Sequence, residues 1–114
     1  MLWVYMLRCG DGTLYTGMSS DLRQRLQQHR SRTARCKFTR RADKHPLALA
    51  GAWPLEGTRG DALRLERYIK GLPRSVKLHL VSGPEALAQR LAADGVELTC
   101  RLGPLKGETE LQEE

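Results

Sequence analysis

The sequence predicts a mixed α/β (α+β type) fold: a small, largely antiparallel sheet flanked by helices. Three observations point there. The 114 residues make one domain of ordinary length. Residues 2–16 read as a tight hairpin. Strand-like and helix-like segments then continue in the order β, β, α, β, α and helical, which is not the alternating β-α repeat of a doubly wound parallel sheet.

Residues 2–8 are a near-continuous apolar run closed by Gly10-Asp11-Gly12, which reads as a mostly buried strand and a turn. Residues 13–16 hold two threonines and a tyrosine, types that favour a returning strand, and Gly17 is expected to end it. Tyr5 and Tyr15 share a face if the loop around Asp11 has three or five residues, and face opposite ways if it has two or four. Gly10 and Gly12 suit the three-residue loop. Ser19, Ser20 and Asp21 are all helix-capping types ahead of a helix over 22–29. The stretch 30–45 has no clear period and reads as loop or irregular helix. Residues 47–53, fenced by Pro46 and Pro54, read as a third strand. Gly60-Asp61 opens a second helix over 61–72, with Gly71 and Pro73 at its end. A short helical segment follows over 74–81, then another over 85–93 behind Pro84. The remainder, ending in the acidic run 108–114, reads as a loose tail.

With 40% hydrophobic and 28% charged residues, the chain has the composition of a soluble globular protein. No apolar run approaches the ~18 residues of a membrane span. The apolar start has no basic lead and no cleavage site, so a cytoplasmic, membrane-free protein is expected. Cys9, Cys36 and Cys100 form no CxxC pair, against both a disulfide framework and a zinc site. The net charge of +6 is unevenly spread. Residues 1–80 carry sixteen basic and six acidic side chains, and residues 81–114 carry three and seven. Residues 22–42 hold Arg23, Arg25, Arg30, Arg32, Arg35, Lys37, Arg40 and Arg41 with no acid among them. Such a block repels itself unless an anion is near. For a basic cytoplasmic domain the usual anion is nucleic acid, the alternative being a merely solvated surface.

Two helices place polar groups on apolar stripes. Arg25 and His29 fall with Leu22 and Leu26 inside one arc of about 100°. An arginine there calls for an anion, unless it snorkels to the stripe's edge. On the second helix Glu66 falls between Ala62 and Leu63, where a carboxylate wants a cation. The alternative is a surface pair with Lys70, worth about 0.3–0.5 kcal/mol.

Val4-Tyr5, then Tyr15-Thr16-Gly17, Asp21-Leu22, Arg25, His29, and Glu66 with Ile69-Lys70, stand in one order and spacing. That set resembles the GIY-YIG endonuclease signature. It is similar to that of the small stand-alone bacterial members and of the N-terminal nuclease module of the UvrC excision-repair protein. The resemblance covers about residues 2–80; it makes 1–80 the nuclease-like domain and leaves 81–114 as a C-terminal helical extension and acidic tail, not an independent domain. It implies a three-stranded antiparallel sheet flanked by helices. It further implies that Tyr5 and Tyr15 are active-site tyrosines, that Gly17 allows close packing beside the second, and that Arg25 faces the scissile phosphate. His29 stands where members have a histidine or tyrosine touching the site, and Glu66 where they have the sole carboxylate ligand of one divalent metal. The chain departs from the pattern at Trp3-Val4-Tyr5, which replaces Gly-Ile-Tyr, and at Met18, where many members have lysine. Arg23 or Lys37 could take that lysine's part in activating a tyrosine.

A lone carboxylate suits Mg²⁺, or Mn²⁺, which keeps several waters and takes other ligands from substrate phosphate. The expected function is thus a metal-dependent endonuclease hydrolysing phosphodiester bonds of single-stranded or branched DNA, in repair, recombination or DNA processing. Arg25 grips the phosphate, and Tyr5 orients or deprotonates the water with Tyr15 or His29 assisting. A free tyrosine titrates near 10, so His29, near 6.5, competes as the base. Arg23, Arg30, Arg32, Arg35, Lys37, Arg40, Arg41 and Lys70 would hold the nucleic-acid backbone. The rival expectation is a nucleic-acid-binding module without catalysis.

Overall fold

The apolar run at the N-terminus becomes β1 (Leu2–Arg8), a strand buried on both faces. The computed structural model describes residues 1–108. β1 turns back into β2 (Leu14–Ser19), and α1 (Leu22–Arg30) follows. A short helix α2 (Lys37–Arg40) and a 3-10 turn (Ala42–Lys44) lead to β3 (Ala48–Glu56). Then come α3 (Arg59–Lys70), α4 (Arg74–Leu80), α5 (Ala86–Ala93) and β4 (Arg101–Leu102). The sheet is antiparallel throughout, in the order β2-β1-β3-β4.

Alternation along β1 divides the interior in two. Val4 and Met6 point to one side and pack with Trp53, Leu65, Ile69, Leu80 and Leu87, from β3 and helices α3 to α5. Trp3, Tyr5 and Leu7 point to the other and pack with Leu22 and Leu26 of α1 and with Leu47. The sheet is therefore covered on both faces, which explains why β1 lacks polar alternation. Each fully buried leucine or isoleucine here contributes about 1.5–3 kcal/mol.

Several expectations need correcting. The sheet has four strands, not three, because Arg101 and Leu102 pair with Glu56 and Leu55. β2 does not stop at Gly17: that glycine lies opposite Tyr5 and the strand continues to Ser19. β3 is not fenced by Pro54, which sits inside the strand opposite Trp3. Its carbonyl accepts from the Gly103 N–H at 2.8 Å, so proline costs the ladder only a donor. The aperiodic stretch contains α2 and the 3-10 turn. α3 begins before residue 61, because Thr58 is its cap: Thr58 accepts from the Asp61 N–H and Asp61 accepts from the Thr58 N–H. After α5 the remainder, expected as a loose tail, returns to the sheet as β4. The acidic run lies outside the described residues beyond Glu108.

The hairpin loop is of the odd kind. Cys9 N–H donates to Thr13 O at 2.8 Å, leaving Gly10-Asp11-Gly12 as the turn, with Gly12 at φ +87°. Tyr5 and Tyr15 accordingly share one face. Among the described residues no helix is long and apolar enough to cross a membrane.

Candidate active site

Tyr5 stands on β1 and Tyr15 on β2, with ring centroids 6.4 Å apart. Gly17 makes room for them: a Cβ there would lie 2.6 Å from the Tyr5 hydroxyl oxygen and 3.1 Å from the Tyr15 ring. The α1 stripe brings His29 against both tyrosines, at 5.8 Å and 5.4 Å between ring centroids. α1 enters the layer at a fixed angle because Asp21 caps it, accepting from the Gln24 N–H at 3.1 Å. His29 is 2% exposed, and both of its nitrogens are engaged. Nε2 lies 2.8 Å from the Tyr5 hydroxyl, and Nδ1 lies 2.8 Å from the Thr39 hydroxyl.

Burial sets the protonation states. It pushes the Tyr5 hydroxyl well above its ordinary value, against the opposing pull of the Arg25 guanidinium, which reaches that hydroxyl by charge and hydrogen bonding. Burial likewise raises Tyr15, and the neighbouring Cys36, Tyr5 and Glu66 add to the rise. His29 is lowered to about 4, first by burial, then by the positive Arg25 and by His45. At neutral pH the site therefore holds two protonated phenols and a neutral imidazole. The cation acting on Tyr5 is Arg25, half-buried on α1, rather than Arg23 or Lys37.

Glu66 comes from α3, whose buried side is Ala62, Leu65 and Ile69. Its side chain is 13% exposed and ion-paired with Lys70 Nζ at 2.7 Å. Its negative charge is felt by both tyrosine hydroxyls. Among the described residues no group of three or more His, Cys, Asp or Glu side chains could cage a metal. The donor set is one carboxylate, which fits only a hard cation that keeps most of its waters or takes substrate oxygens.

The basic block is less uniform than its sequence. Arg23, Arg35, Lys37 and Arg40 are exposed. Arg30 pairs with Glu108, and Arg41 with Asp43 at 2.8 Å. Arg32 donates from Nε to the Arg40 carbonyl at 2.8 Å. Lys70, expected on the nucleic-acid backbone, directs its ammonium at Glu66, which is the surface pair that stood as the alternative to a cation at Glu66. Trp53 is wholly buried and Phe38 stacks on Tyr15, with centroids 5.9 Å apart, so Trp53 offers no base a surface.

Sequence reasoning missed the segment that closes the site. Thr39, on α2 itself, is fully buried. Lys44, also buried, reaches Asp11 at 2.6 Å and lies 4.2 Å from the centre of the Phe38 ring. Those two contacts fasten α2 to the hairpin loop. Burial raises the Cys36 thiol, yet hydrogen bonds from the Thr39 hydroxyl and amide, from the Tyr15 hydroxyl and from the Phe38 amide bring it below its ordinary value. The single hint was composition: Thr39 and Cys36 are small and uncharged inside a run of cations.

A family model for the GIY-YIG catalytic domain matches residues 1–79. A UPF0213 protein of Nitratidesulfovibrio vulgaris is 47% identical over 77 residues, 67% of this chain and 66% of that one, so the chain spans about two thirds of that relative. A UPF0213 protein of Syntrophus aciditrophicus is 35% identical over 86 residues, 75% of this chain and 95% of that one. The solution NMR structure of a UPF0213 protein from Bacillus halodurans is similar at 31% identity and a TM-score of 0.45, covering 81% of this chain and 98% of its own.

Proposed function

The chain belongs to the GIY-YIG catalytic-domain family, and from that premise we propose that it is a metal-dependent endonuclease that hydrolyses phosphodiester bonds in single-stranded or branched DNA. The observation that supports this best is convergence. Tyr5, Tyr15, Arg25, His29 and Glu66 come from two strands and two helices, yet the Arg25 charge reaches Tyr5 and His29 and the Glu66 charge reaches both tyrosines.

Phosphodiester hydrolysis needs a water relieved of a proton and cations that meet the charge building on the phosphoryl oxygens. In this reading Arg25 grips a non-bridging oxygen, with a guanidinium suited to two parallel hydrogen bonds. The Tyr5 oxygen takes a hydrogen bond from the attacking water in the same reading. Since a phenol raised above its usual value is a poor base, its proton needs an acceptor, and neutral His29 stands 2.8 Å away. Glu66 would hold Mg²⁺ or Mn²⁺, which supplies charge neutralisation at the departing oxygen. Arg23, Arg35, Lys37 and Arg40 form the exposed basic surface along which a nucleic-acid backbone would lie. A place in repair, recombination or DNA processing accords with such a substrate.

The test is cleavage of end-labelled single-stranded, duplex, flap and branched DNA by the wild type and by Glu66→Ala. Mg²⁺, Mn²⁺ and EDTA are compared in parallel. Cutting is expected with either metal, with loss in EDTA and a fall of ~10²-fold or more in Glu66→Ala. Salt-sensitive binding by both proteins without any cutting would instead make the chain a non-catalytic nucleic-acid-binding module.

A further inference from the structure

Thr39 is fully buried and its hydroxyl touches the back of the His29 ring. A hydroxyl has one hydrogen, and away from the ring this one meets two acceptors on Cys36, the carbonyl oxygen 3.4 Å away and the sulfur. Its oxygen is thus the acceptor toward Nδ1. The front of the ring agrees independently. Tyr5 is 1% exposed, and its hydroxyl has one hydrogen to place. Arg25, the other group hydrogen-bonded to it, can only donate, so that hydrogen goes to Nε2. Both ends assign the same ring form.

We propose that Thr39 is a positioning residue: its hydroxyl holds His29 as the Nδ1–H form, which leaves Nε2 bare and aimed at the Tyr5 hydroxyl. This deepens the nuclease reading and rests on it for its catalytic part. In that reaction the water oxygen bonds to phosphorus and one water proton passes to the Tyr5 oxygen. The Tyr5 proton passes to Nε2, leaving an imidazolium that keeps its Nδ1–H on Thr39. The bridging P–O bond breaks, and the departing oxygen keeps the electron pair and takes a proton from solvent. With the other tautomer, Nε2 would carry a hydrogen already and Tyr5 would have no acceptor.

The backbone supports the same role. The Thr39 carbonyl takes a hydrogen bond from His45 Nε2 at 2.8 Å, so Thr39 is held on both its side chain and its main chain. α2 itself is tied to the hairpin loop through Lys44 and Phe38. Thr39 therefore sits on the segment that also presents Lys37 and Arg40 to solvent.

The test compares wild type, Thr39→Ser and Thr39→Val. Long-range ¹H–¹⁵N correlation spectra of the intact chain read the His29 tautomer directly, with no substrate. Wild type and Thr39→Ser are expected to show a protonated Nδ1 and a bare Nε2, and Thr39→Val a shift toward the Nε2–H form. In DNA cleavage, Thr39→Val is expected to lower kcat by roughly 10–100-fold with KM nearly unchanged, and Thr39→Ser to restore most of it. An Nε2–H ring in the wild type overturns the proposal, whether or not Thr39→Val folds. So does an unchanged tautomer in a folded Thr39→Val, or a Thr39→Ser as slow as Thr39→Val. If no protein cuts DNA while the tautomer follows Thr39, the nuclease reading fails and the positioning role stands.

Discussion

His29 is held neutral in the fold by burial beside Arg25, and that has a sign in the pH dependence of stability. In the unfolded chain it titrates near 6.5 and in the folded chain near about 4. Between those values the unfolded state binds more protons, so folding weakens as pH falls through this window. The loss is expected to be on the order of 2–3 kcal/mol. Urea unfolding from pH 7 down to pH 4 measures it, and His29→Gln should flatten the curve there. Arg25, His29 and Glu66 were legible in the sequence because each breaks an apolar stripe, and a charge on such a stripe needs a reason. Thr39 was not. A threonine offends no pattern, and its burial depends on a segment with no period at all.

The helix that presents Glu66 depends on how it starts. Thr58 and Asp61 cap each other, and Asp61 also accepts from the Thr99 hydroxyl at 2.8 Å, so one carboxylate ties α3 to the C-terminal extension. Thr58→Ala is expected to cost ~1 kcal/mol, read as a lower urea midpoint at unchanged slope. β1, α1, α4 and α5 were legible within a residue or two, β1 as an apolar run with a turn at its end and the helices from their length and the capping or breaking residues around them. The ends of β2 and β3 were not. Gly17 and Pro54 look like stops, yet Gly17 is required by the close approach of Tyr5, and Pro54 still offers a carbonyl. Local chemistry names such residues without showing what lies opposite them.

Across the whole molecule, the extension beyond α4 completes the sheet that the site is built on. β4 and the pairing of Ala52 with Lys106 cover the outer edge of β3, and Leu102 and Leu105 pack on the core. Gly51 admits this, since a Cβ there would fall 2.4 Å from Leu105 Cδ1. A chain cut after residue 96 keeps α5 but bares the β3 edge, a ready template for another strand. It is expected to be less stable and to self-associate with rising concentration, as size exclusion with light scattering would show. β4 could not be read in advance, because two residues have no period and their partners lie some forty-five positions earlier.

The run of hydrogen bonds behind Tyr5 passes through His29 and Thr39 to Cys36. His29 and Thr39 are sealed from water. In the proposed reaction a proton given up by the phenol is therefore parked on the ring behind it, and it would go back through the same phenol before the next turnover.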